Sequence, residues 1–77
     1  MNKDFITTQE LLTYLKQNPF LETESRLLLG CRIHSIHYWY WDADVHCLMH
    51  THDGLYSPVS EDEVLAWYGN CKWRICL

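Results

Sequence analysis

The sequence predicts an α+β domain: an N-terminal helix, an antiparallel three-strand meander, a second helix and a C-terminal strand. These would form a four-stranded sheet with the helices on one face. Three observations predict it. Thr7-Thr8-Gln9-Glu10 and Ser60-Glu61-Asp62-Glu63 both have the hydroxyl-x-x-carboxylate form that satisfies orphan backbone N–H groups where a helix begins. Between them lie short runs of β-branched and aromatic residues punctuated by turn signals. After them, Cys71, Trp73, Ile75 and Leu77 alternate with Lys72, Arg74 and Cys76, the period-two pattern of a half-buried strand.

Taken in order, Leu11, Leu12 and Leu15 recur at helical spacing behind the first capping box, and Asn18-Pro19 stops the run, because proline disfavours helical geometry in the residue before it. The helix is expected over about Thr8 to Gln17, with Phe20 to Ser25 as a polar connector. Leu27-Leu28-Leu29, Ile33, Ile36 and Tyr38-Trp39-Tyr40-Trp41 read as extended chain, with a bend or bulge at Gly30. Asp42-Ala43-Asp44 is a turn, Val45 to Thr51 the returning strand, Asp53-Gly54 a hairpin signal, and Leu55 to Val59 a brief third strand limited by Pro58. The second helix runs through Val64, Leu65, Trp67 and Tyr68, with Gly69 where a C-terminal cap belongs.

The 77 residues suit a single domain, residues 1–77. A net charge of −4 argues against direct, sequence-independent binding of nucleic acid, which needs a basic face. No apolar run is long enough to span a membrane, and Met1-Asn2-Lys3-Asp4 leads into no signal-peptide core, so a cytoplasmic location is expected. The four cysteines, Cys31, Cys47, Cys71 and Cys76, form no C-x-x-C pair and read as free thiols; the spacing of Cys71 and Cys76 puts them on opposite faces of a strand.

The densest chemical signal is His46-Cys47-Leu48-Met49-His50-Thr51-His52, with His34 and His37 on the preceding strand. An extended strand would aim His46, His50 and His52 at one face, and imidazole is a common metal ligand. Hairpin register decides what else joins them. A two-residue loop at Asp42-Ala43 brings His37 to that face, and a three-residue loop sets His34 opposite His50. Protonating all five histidines would carry the net charge from −4 to about +1, so the surface is also a candidate for pH response.

His50-Thr51-His52, seven residues, Ser60, two residues and then Glu63 resembles the signature of the JAMM (MPN-plus) zinc metalloproteases. The Leu-rich stretch from Glu24 to Gly30 and the strand at Trp73-Arg74-Ile75 look similar to elements of that family. The resemblance implies zinc held by His50, His52 and Glu63, Ser60 steadying a tetrahedral intermediate, and Glu24 as the general base for a zinc-bound water. Glu63 stands where the family has Asp, and Asp53 stands where a Pro usually follows the second histidine. The chain is shorter than a complete domain of that family.

Alternation sends Tyr38 and Tyr40 to one face of their strand and Trp39 and Trp41 to the other, so one pair can cover the helices while the second is left for a loop or a partner. Acids gather at element ends, including Asp42 and Asp44 at the hairpin tip. Together these favour a small, acidic, non-enzymatic binding module without a cofactor. Its partner would be a protein with a basic surface, met through Trp39, Trp41, Asp42 and Asp44. An inhibitor of a basic nucleic-acid-binding protein, of the immunity or anti-defence kind, fits that size and charge, and a homodimer remains compatible. The alternative expectation is a zinc-binding, JAMM-like protein with hydrolase activity.

Overall fold

A computed structural model of the chain describes residues 5–30 and 32–77. It contains β1 (Ile6–Thr7), α1 (Thr8–Gln17), β2 (Thr23–Leu29), β3 (Arg32–Asp42), β4 (Cys47–Thr51), β5 (Ser57–Val59), α2 (Glu61–Tyr68) and β6 (Lys72–Cys76). The strands form one six-stranded sheet in the order β1-β6-β2-β3-β4-β5, and every neighbouring pair is antiparallel. The four-stranded sheet with a three-strand meander is therefore corrected.

Two local features account for the difference. Gly30 has φ of +57°, open to glycine without a Cβ penalty, so the chain reverses there instead of bending and one expected strand becomes β2 and β3. Half of the expected polar connector is thereby strand, beginning at Thr23. The second feature is β1, two residues that pair Ile6 with Trp73 and Thr7 with Lys72 on the outer side of β6. Such a pair carries no periodicity of its own and exists because β6 offers it an edge. The return strand is also shorter than expected, since Val45 and His46 belong to the turn and His46 has φ of +50°. Cys31 and the segment 1–4 lie outside the described residues. Cys47, Cys71 and Cys76 are free thiols.

Both capping boxes form. Thr7 and Ser60 each accept a hydrogen bond from the backbone of the glutamate three residues on, and that glutamate accepts one from the cap's own N–H. Leu11, Leu12 and Leu15 of α1 and Val64 of α2 pack with Leu27, Trp39, Leu48, Cys71 and Trp73, so both helices lie on the same face of the sheet. Lys16 and Glu61 join the helices at 2.8 Å on the surface, where an ion pair contributes little.

The seam between helices and sheet is held by a buried hydroxyl. Thr8 Oγ1 donates to the Tyr68 carbonyl at the end of α2 and accepts from Trp73 Nε1 at 2.9 Å. Without it the Trp73 indole N–H would lose its partner, while the Tyr68 carbonyl would keep the bond it accepts from Cys71 N at 3.0 Å. Thr8→Val is therefore expected to destabilise the fold by about 1–2 kcal/mol, measured by urea denaturation, whereas exposed Thr13→Val should cost less than about 0.5 kcal/mol.

Candidate functional site

Four loop residues, 43–46, separate β3 from β4, and the register sets Trp39 opposite His50 and Tyr38 opposite Thr51. An even loop brings His37 to the face of His50, the outcome the two-residue alternative had also implied. His46 is in the turn and leaves the group.

On the covered face the imidazoles form a hydrogen-bonded chain. Ser35 Oγ is 2.8 Å from His37 Nε2, and His37 Nδ1 is 2.8 Å from His50 Nε2. The His37 and His50 rings are nearly coplanar, 15° apart with centroids at 5.0 Å, which is the geometry of an edge-to-edge N–H···N bond. His52 stacks on His37 at 4.6 Å, Trp39 lies over His50 at 4.1 Å, and Tyr68 and Trp73 meet His37 edge-on. His37 is 3% exposed. Its burial, and then the neighbouring His50 and His52, pull its pKa down to about 4. Burial also lowers His50, assisted by His52 and opposed by Asp53.

Ser35, His37 and His50 stand in the order of nucleophile, base and orienting group. A base held so far below neutrality is a weak proton acceptor, however, and Ser35 and His37 line none of the described cavities. Both nitrogens of His37 are already engaged, and His52 meets it with its ring face. Among the described residues, no group of three or more His, Cys, Asp or Glu side chains is disposed to hold a metal ion.

The residues of the JAMM-like pattern are dispersed. His50 lies on the covered face, while Glu63 Oε1 accepts from Ser60 N and Oγ at the exposed start of α2. Glu24 is on the opposite face of the sheet, paired with Arg26 at 3.1 Å.

Trp39 is wholly buried and Trp41 packs partly against the core, so the tryptophan pair covers the helices. Trp39 is therefore corrected from a partner contact to a core residue: the helices occupy its face. Asp42 Oδ1 accepts from Asp44 N at the hairpin tip, an ordinary turn-stabilising contact.

The other sheet face carries the tyrosines. Register places Glu24, Arg26, Tyr38, Tyr40 and Cys76 there, and Glu22, Glu24, Arg26, Tyr38, Cys76 and Leu77 border a groove of about 390 Å³. Tyr38 is 37% exposed. Tyr40 meets Tyr56 edge-to-face at 5.0 Å. Burial, with the Glu22 carboxylate nearby, pushes Tyr56 up to about 12. At the other end of this face a bulge opposite Leu27 and Leu28 turns Ile33 outward beside Phe5, Leu28 and Arg74. Sequence reasoning missed Glu22, Tyr56 and the exposed Trp67 of α2. Tyr38 and Tyr40 were legible as a pair, but which pair would face outward depended on where the helices lay.

No helix among the described residues is long and apolar enough to cross a membrane. No family model matches the chain, and neither a curated protein nor a solved structure does.

Proposed function

We propose that this protein is a non-enzymatic binding module that takes an arginine-bearing segment of a basic protein on the tyrosine face of its sheet. The observation that carries the reading is the juxtaposition of Tyr38, Tyr40 and Tyr56 with Glu22 and Glu24, on the face away from both helices. Aromatic faces and carboxylates are complementary to guanidinium groups, which stack on the one and hydrogen-bond to the other. The overall charge of −4 supplies attraction at longer range. A protein that itself binds nucleic acid presents such arginines, and an acidic face seated on them would act as a competitive inhibitor.

The test is calorimetric titration with nona-arginine and nona-lysine peptides at low and moderate salt. The intact protein is expected to prefer arginine, and Tyr38→Ala with Tyr40→Ala should weaken arginine binding by about tenfold without changing net charge. Glu22→Gln should weaken both peptides. Equal affinity for the two peptides, or an unaltered affinity in a folded double-tyrosine variant, would overturn the reading.

A further inference from the structure

The Ser35–His37–His50 chain counts protons. When neutral it has two arrangements. In one, the Ser35 hydroxyl donates to His37 Nε2 and His37 Nδ1–H donates to His50 Nε2; in the other, His50 Nε2–H donates to His37 Nδ1 and His37 Nε2–H donates to Ser35 Oγ. One added proton is accommodated by an imidazolium at His37 that donates at both ends. A second proton, on His50, sets two N–H groups against each other across 2.8 Å, and the link between β3 and β4 becomes a repulsion.

The groups facing this link offer little compensation. From β4 and its following loop come His52 and Asp53, and Asp53 acts on His50 while its Oδ1 also accepts from Thr51 Oγ1. From α2 comes Tyr68, with Cys71 next to it, both held further toward their neutral forms by burial. From β2 comes Ser25, bonded to the His37 carbonyl, and from β6 comes Trp73. The one carboxylate in this set touches the His50 end alone.

Beyond the link, β4 is tied to the rest of the sheet through β3, because β4 and β5 end the strand order on that side. Its outer neighbour β5 has three residues, of which Pro58 has no N–H to give. Of the buried core cluster, β4 supplies Leu48, as β2, β3 and β6 supply Leu27, Trp39 and Trp73, while α1 supplies Leu11, Leu12 and Leu15, so most of the core stays in place when the β4–β5 hairpin leaves.

We propose that the His37–His50 link is an acid latch. Double protonation releases the β4–β5 hairpin, Cys47 to Val59, from β3 while α1, β2, β3 and β6 remain folded. For its functional consequence the proposal rests on the binding face described above: release carries Tyr56 away from Tyr40 and dismantles that face, so a partner would be let go in acid.

The experiment is amide hydrogen exchange by NMR on the full chain at about pH 7 and about pH 4.5, expressed as protection relative to intrinsic exchange. Protection of the Leu48, Met49 and His50 amides is expected to fall by about tenfold or more relative to Ser25, Leu27 and Trp73. His50→Gln, which can hydrogen-bond to His37 but does not titrate, should reduce the acid-induced loss of β4 protection to the part that buried His37 carries by itself. Imidazole ¹⁵N shifts of the unsubstituted protein give a second readout: the latch requires His37 and His50 to titrate as a coupled pair as β4 protection is lost. Uniform loss of protection in all strands, an undiminished acid effect in a folded His50→Gln variant, or independent titration of the two rings would overturn it. Because these readouts need no partner, the latch can fail while arginine-peptide binding at neutral pH succeeds, and the converse holds too.

Discussion

Trp39→Ala is expected to lose about 3–5 kcal/mol of stability, the range for emptying a large aromatic side chain from a core. For 77 residues the whole stability is roughly 4–12 kcal/mol, so the loss is a large share of it and should lower the urea midpoint far below that of the unsubstituted chain. The side chain is wholly buried, meets Trp73 edge-on at 5.7 Å and stacks over His50, so its removal loosens the contact between helices and sheet and the histidine chain together. Its indole N–H has no hydrogen-bond partner among the described residues. Trp39→Phe keeps most of the apolar area and removes that orphaned donor, so it should cost less than about 2 kcal/mol. Tyr38→Ala, one residue away but on the open face, should cost about 1 kcal/mol or less. Urea denaturation followed by tryptophan fluorescence and far-ultraviolet circular dichroism separates the three, and equal losses for Trp39→Ala and Tyr38→Ala would refute the assignment of faces.

The second large effect is with pH. His37 titrates near 6.5 in the unfolded chain and at about 4 when folded, so between those values the unfolded state binds the proton more tightly. Stability is therefore full above about pH 6.5 and falls as the solution is acidified, with a slope approaching 1.4 kcal/mol per pH unit. By about pH 4 roughly 3 kcal/mol is lost, and His50, shifted in the same direction, adds to the fall. Urea midpoints from pH 7.5 down to 4 check it. His37→Gln should start less stable, because an imidazole is lost from a packed site, but should show a flatter dependence over that range. A profile in the variant as steep as in the unsubstituted chain would show that other groups carry the acid sensitivity.

Hairpin parity is where the reading of residues stopped short. Period-two alternation correctly divided Tyr38 and Tyr40 from Trp39 and Trp41, and it correctly identified β6 as half-buried. It had no means of counting the turn between Asp42 and Cys47, and one residue more or less would have exchanged His34 for His37 opposite β4. The Gly30 reversal was hidden for a similar reason: a glycine within a β-rich stretch is compatible with a bend, a bulge or a full turn, and the pairing of β2 with β3 selects the turn. The JAMM-like spacing shows the same limit. Histidine, serine and acid stand at suggestive intervals along the chain, yet Ser60 and Glu63 form a capping box while Glu24 is across the sheet from His50.

By itself the sequence determined the local matters: where α1 and α2 begin, since capping needs only a hydroxyl and a carboxylate three residues apart, and which residues of each strand share a face. It also determined the acidic charge and the abundance of aromatic side chains. Tertiary structure decided what those faces meet. The helices covered the tryptophans and left the tyrosines facing away, β6 inserted between β1 and β2, and an even loop joined His37 to His50 by one hydrogen bond. The physical reason is range. Capping and alternation are settled within a few residues of chain, whereas register and layering depend on which distant surfaces bury the most apolar area together.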